Sequence, residues 1–240
     1  MRLRIGLLAI AITAVGGLGV TGCSGKITRE VSAKLLVLEG AVSLEDSTGG
    51  NVALTPKSST LVRKGETVRT GERSRADLLL LPGALVAMGP KAAIRLEELS
   101  LTKDGNALNE AMSRLVHLRV LTGRVLLVSQ FDTEPGQRRV ATPSGVLSWI
   151  RPGTFLLQVE GDQTRITCIR GAGTFKTVEE ATVSMEAGFF RVIPSIVPDP
   201  TGVEDDVQAQ DDVDYALDME RKLLNMQDRE MVSPFPWRRQ

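Results

Sequence analysis

Lys64-Gly65-Glu66-Thr67-Val68-Arg69-Thr70-Gly71-Glu72-Arg73-Ser74-Arg75-Ala76-Asp77-Leu78-Leu79-Leu80 carries the pattern on which the architecture turns. Glycines punctuate its short segments. After Asp77 the run Leu78-Leu79-Leu80-Leu81 is apolar on both faces, as an interior strand requires. The same texture extends outward. From Ala33 to Ile193, short apolar segments are separated by Gly, Pro, Asp or Asn, the signature of an all-β domain. In Ala181-Thr182-Val183-Ser184-Met185-Glu186 apolar and polar residues alternate, and Val116, Leu118 and Val120 share one face with His117, Arg119 and Leu121 opposite.

A weak repeat places glycine between strand-like segments at Leu38-Glu39-Gly40-Ala41-Val42, Leu121-Thr122-Gly123-Arg124-Val125 and Ile169-Arg170-Gly171-Ala172-Gly173. Glycine there allows a tight turn with positive φ. The spacings of 83 and 48 residues exclude a fixed-period array. They predict stacked hairpins, an irregular β-roll or a sandwich over 33–195. One interruption stands out. Leu108, Ala111, Met112 and Leu115 have helical spacing behind Asn106, which predicts a short helix or a long excursion between strands. After Pro194 the composition changes. Glu204, Asp205, Asp206, Asp211, Asp212 and Asp214 arrive before any basic residue, so 196–210 reads as a solvated acidic linker. Residues 211–240 then give a short C-terminal helix and tail, with Val213, Ala216, Leu217, Leu223, Leu224 and Met231 as a partial apolar stripe.

The chain opens with Arg2 and Arg4 before an apolar run, Ile5 to Val20, that ends in Thr21-Gly22-Cys23. This is the layout of a secretory signal. The run is about 16 residues, short for a span that needs roughly 20. Its Gly6, Gly16, Gly17 and Gly19 weaken a permanent helix. The cysteine behind small residues resembles the lipobox of bacterial lipoproteins. That resemblance implies a signal peptide at 1–22, acylation (palmitate-type chains) of Cys23 and a tether over 23–32. It places the chain on the periplasmic face of a bacterial membrane in the cell envelope, and Ser24 after Cys23 favours the outer membrane. Two or more acyl chains give stable anchoring. Loss of residues 1–22 removes Arg2 and Arg4 and leaves 27 basic against 29 acidic residues, so no basic excess draws nucleic acid. With Cys23 acylated, Cys168 has no disulfide partner within the chain, and its alternating surroundings predict a small buried hydrophobe.

The β region resembles the FecR-type periplasmic domain of bacterial regulators of iron-chelate uptake. The stretch from Lys64 to Leu80 matches its glycine-acid, threonine-glycine and Ser-Arg-Ala pattern. Pro82-Gly83-Ala84-Leu85-Val86-Ala87-Met88-Gly89-Pro90 continues it as turn and second strand. Leu121 to Val125, Ala141-Thr142-Pro143 and Arg151-Pro152-Gly153-Thr154-Phe155 resemble later elements, with Gly171 and Gly188 as final turns. The resemblance covers about 160 of the 218 residues after Gly22. Pro82-Gly83 replaces the Asp-Gly usual in that turn, so no role of that aspartate carries over. The better-known relatives reach a cytoplasmic sigma-factor system through a cytoplasmic segment. Only Met1 to Arg4 precede the apolar run here, so the relay is not transferred.

Chemistry-bearing constellations are sparse. His117 is the sole histidine, and no Gly-x-Ser-x-Gly elbow accompanies it. One His and one Cys do not make a zinc site, and the acidic cluster lacks the glycine-centred loop of a calcium hand. Glu97 and Glu98, alternating across a strand, are expected to point apart. Arg73 and Arg75 read either as structural, fixing a turn with Ser74, or as a partner patch that Trp237 and Arg238 could join. These readings point to a non-enzymatic, cofactor-free, lipid-anchored binding or scaffold module whose partner is a protein or an envelope polymer. The alternatives are a periplasmic sensor working through a membrane-spanning partner and a cryptic cell-wall hydrolase.

Overall fold

Strand formation here follows from alternation, and the alternation resolves into two layers. In the computed structural model the described residues are 25–81, 83–104, 111–130, 136–194 and 201–231. The first half comprises β1 (Lys26–Glu30), β2 (Ala33–Glu39), β3 (Val42–Glu45), β4 (Asn51–Leu54), β5 (Ser59–Val62), β6 (Thr67–Thr70), β7 (Arg75–Leu81), β8 (Ala84–Met88) and β9 (Ala93–Asp104). The second comprises β10 (Ala111–Ser129), β11 (Gly136–Thr142), β12 (Gly145–Trp149), β13 (Gly153–Glu160), β14 (Gln163–Arg170), β15 (Ala172–Thr177), β16 (Thr182–Glu186), β17 (Phe189–Ile193) and β18 (Thr201–Gly202). A 3-10 turn at Val203–Asp205 leads into α1 (Val207–Met231).

One sheet runs β4-β3-β6-β9-β10-β11-β12-β15-β16, with β1 continuing along the β6 edge of β9. The other runs β5-β2-β7-β8-β10-β13-β14-β17-β18. Strand β10 belongs to both. Up to Thr122 it lies between β9 and β11, and from Gly123 it lies between β8 and β13. The described pairings are antiparallel apart from β10 with β11. A strand that switches sheets makes a corner, and Gly123, at φ +89°, sits at it. A Cβ there would lie 2.4 Å from Ala92 Cα. The glycine read from sequence as a turn between strands is therefore a bend within one long strand.

Two apolar clusters result. Leu35, Val68, Leu78, Val86, Ile94, Leu118, Val120, Leu127, Phe155, Leu157, Ile166 and Phe175 fill the space between the sheets. Leu36, Leu79, Leu85, Ala87, Leu126, Val128 and Leu156 face outward from the second sheet and meet Ala216, Met219 and Leu223 of α1. This explains why Asp77 to Leu81 is buried on both faces: sheet one covers one side and α1 the other. Burying Met219 and Leu223 contributes about 1.5–3 kcal/mol each.

Several expectations change. Ala111, Met112 and Leu115 belong to β10, because pairing with β9 overrides their helical spacing; 105–110 lie outside the described residues. Lys26–Glu30, within the expected tether, pairs with β9 as β1. The segment read as an acidic linker carries β18, the 3-10 turn and the start of a helix that begins at Val207 rather than 211. A bulge in β9 brings Leu96 opposite Leu118 directly after Glu98 opposite His117. Glu97 and Glu98 consequently do not point apart: they reach Arg119 and His117, which share the outer face of β10. Among the described residues no helix is long and apolar enough to cross a membrane.

Candidate functional site

The outer face of the second sheet gathers ion pairs of the described residues whose acids are buried, at Asp77, Asp212 and Glu220. Along its strands Arg124, Leu126 and Val128 of β10 and Arg165, Thr167 and Ile169 of β14 project to the same side by strand alternation. Arginines thus rim an apolar floor. The helix supplies the counter-charges. Arg124 Nη2 donates to Asp212 Oδ1 at 2.5 Å, and Arg165 reaches Asp212 Oδ2 at 3.2 Å and Asp206 Oδ1 at 2.9 Å. Glu220 accepts from Thr154 Oγ1 at 3.0 Å and from Arg170 at 3.4 Å. Arg124 also lies 3.9 Å over the Tyr215 ring, and Arg165 lies 4.1 Å over Phe190. Asp212 and Glu220 are almost wholly buried. Arg165–Asp212 is the pair of this seam buried on both members, and breaking a buried pair costs about 3–5 kcal/mol.

Asp206 does a second job. Its Oδ1 accepts the Ala209 backbone N–H at 2.8 Å, so it is the N-cap of α1. That hydrogen bond, helped by Arg165, holds its carboxyl below the usual carboxylate range. Of the six acids expected to be solvated, Asp206 is a cap and Asp212 a docking contact, while Glu204, Asp205, Asp211 and Asp214 are exposed as read.

Beside the seam lies a less satisfied group. Asp77, 1% exposed, receives Arg75 Nη2 at 3.2 Å on Oδ2, while Oδ1 has no hydrogen-bond partner among the described residues. Burial raises its pKa against the opposing pull of Arg75. Burial likewise pushes the Tyr215 hydroxyl up.

The residues singled out in sequence scatter. Arg73 is exposed in the β6–β7 turn, and Arg75 turns to Asp77. Ser74 is buried where Gly40 passes it: a Cβ on Gly40 would stand 2.3 Å from Ser74 Oγ. Cys23, Trp237 and Arg238 lie outside the described residues. His117 is half-buried on the outer face of β10. Its Nδ1 lies 3.7 Å from Glu98 Oε2, and its Nε2 is buried without a partner among the described residues. Among those residues no group of three or more His, Cys, Asp or Glu could hold a metal ion. Cys168 is fully buried, and burial with Glu186 nearby pushes its thiol up to about 12. At pH 8 it is expected to resist an aromatic disulfide reagent until denaturant is added, since the thiolate is the reactive form. Rapid labelling of the native chain lacking Cys23 would contradict that.

A cleft of about 700 Å³ opens where β16 and β17 diverge, lined by Val183, Phe190 and Ile193 with Asp162 and Glu179 at its rim. Under it Ser144, Thr164 and Thr142 form a buried hydroxyl chain: Ser144 Oγ donates to Thr164 Oγ1 at 2.6 Å and Thr164 Oγ1 to Thr142 Oγ1 at 3.0 Å. The chain ties the β11–β12 turn to β14.

Comparison with known proteins bears on residues 66–172, from the turn before β6 to the first residue of β15. They match the FecR protein family. The FecR-matched region holds β6 to β14 with the β10 corner, whereas α1 and its acids lie beyond it. No curated protein matches the chain. Two crystal structures of a candidate anti-sigma factor from Parabacteroides distasonis ATCC 8503 align with it. One, at 1.65 Å resolution, has 10% identity and a TM-score of 0.41; the other, at 2.50 Å, has 12% and 0.40. Each alignment covers 56% of this chain and 57% of that chain, so a little over half of either length is compared.

Proposed function

We propose that the chain is a non-catalytic, lipid-anchored binding module of the bacterial cell envelope, held through Cys23 on the periplasmic side and engaging a protein partner. The observation that carries this reading is the FecR match over 66–172. It is supported by the layout of residues 1–23, which pairs a short apolar run with a cysteine after Thr21-Gly22. The arginine-rimmed sheet face, which already recognises the acids of α1, supports charge-directed recognition.

Metabolic labelling with an alkyne fatty acid tests the anchor. The wild-type chain is expected to incorporate label and sediment with membranes, and the Cys23→Ser chain to do neither. Equal membrane recovery of both, without label, rules the anchor out. Affinity capture from cross-linked envelopes tests the module: a recurrent stoichiometric protein partner is expected, and its consistent absence sinks the reading. The family match also favours a sensor acting through a membrane-spanning protein. A sigma-factor gene or an outer-membrane receptor gene beside this one selects the sensor over a simple scaffold.

A further inference from the structure

We propose that the outer face of the second sheet is a groove for an acidic amphipathic helix of a partner protein, and that α1 occupies this groove in cis until the partner helix displaces it. This rests on the binding-module reading and names its surface and the chemistry of its partner.

The groove can empty without opening the molecule. The core between the sheets is closed by strand and turn residues alone, and no residue of α1 belongs to it. The second cluster is separate, with Ala216, Met219 and Leu223 the helix residues buried in it.

Charge states what the groove accepts. Arg124, Arg165 and Arg170 stand around Leu126, Val128 and Leu156, and α1 answers them with Asp206, Asp212 and Glu220. Asp212 and Glu220 are eight residues apart, so they sit about 12 Å apart along the helix axis, with apolar residues facing the sheet between them. A displacing helix needs the same arrangement: two carboxylates roughly two turns apart flanking a small-and-apolar stripe. A basic or neutral helix leaves Arg124 and Arg165, both largely covered, without an opposite charge.

The fit of α1 is incomplete. Asp77 Oδ1 and Thr167 Oγ1 belong to side chains 1% exposed on the α1 side of the sheet, and neither atom has a hydrogen-bond partner among the described residues. A helix that brings a donor to Asp77 satisfies a buried group that α1 leaves bare. That difference gives a partner the advantage it needs over a segment tethered in cis.

The test uses the full mature chain and a fluorescein-labelled synthetic peptide of residues 205–231, followed by anisotropy. The wild-type chain, its groove filled, is expected to bind the peptide weakly. The chain with Asp212→Asn and Glu220→Gln, whose own helix is loosened, is expected to bind about tenfold more tightly or better, because the competent fraction rises. Adding Arg124→Glu and Arg165→Glu to that chain is expected to abolish binding. No binding by either of the first two chains, or equal binding by both, overturns the proposal. A peptide-free dimer in light scattering makes a second copy the occupant and also overturns it. Hydrogen exchange on the wild-type chain decides the matter independently of how the variants fold. Amides of 207–225 are expected to exchange about 100-fold faster than those of β10 and β13, and equal protection overturns the proposal. A chain that captures an envelope protein yet refuses the peptide refutes the groove alone; a chain that takes the peptide yet captures nothing refutes the module.

Discussion

Valine in place of Gly123 is expected to lower the free energy of unfolding by about 3–5 kcal/mol, which approaches the whole stability of many domains. Two effects add. Gly123 holds φ at +89°, a region that a β-branched residue strongly resists. A Cβ there would also stand 2.4 Å from Ala92 Cα, 2.7 Å from Ala92 N and 2.7 Å from Lys91 O. All three are backbone atoms of the β8–β9 connection, so no side chain can swing aside. The strand must straighten or the turn must retreat, and either separates the two halves of β10. Gly161 is the control: its φ is +58° but nothing lies within 4 Å of the Cβ position. Gly161→Ala is expected to cost only about 1 kcal/mol. Urea unfolding followed by far-UV circular dichroism checks both, and a Gly123→Val chain as stable as Gly161→Ala would show that the corner tolerates a side chain.

Phe155→Ala is the second large effect, about 3–5 kcal/mol. Phe155 is fully buried between the sheets, and its ring centroid lies 5.1 Å from that of Trp149 at 50°. Removing the ring empties space at the point where β13, of one sheet, meets β12, of the other. The cavity is expected to lower the urea midpoint and to change the Trp149 emission, since that indole loses its aromatic neighbour. Unchanged emission together with an unchanged midpoint would mean that the two rings do not pack in solution.

The layers were legible wherever alternation is clean. Val116, Leu118 and Val120 are inward and Arg119 outward, as read. Met185 is buried between exposed Ser184 and Glu186. The doubly buried run after Asp77 signalled an interior strand, but its second cover could not be read, because α1 is more than a hundred residues away in sequence. The glycine signal located Gly123 and missed its role: φ > 0 is needed at a turn and at a corner alike. Helical spacing near Leu115 misled because four residues cannot outweigh a ladder that pairs β10 with β9 along most of its length. Acid density after Pro194 misled for a related reason. Composition counts Asp206 and Asp212 as solvated, whereas arginines on two strands wait for them. A signal did exist: Arg124 and Arg165 occupy positions whose strand neighbours two residues on, Leu126 and Thr167, are buried. A charge aligned with a buried stripe anticipates a counter-charge from elsewhere.

The helix that covers the second sheet is made after every strand beneath it. Chains are made amino end first, so a molecule delivered in that order carries a bare patch of Leu36, Leu79, Leu85, Leu126 and Leu156 until residue 223 has followed. Arg124, Arg165 and Arg170 ring the patch with like charge, which slows the association of unfinished chains over a short interval without preventing it indefinitely. A premature stop before Val207 would leave that exposure permanent, and such a product is expected to clump rather than to persist as a smaller soluble domain.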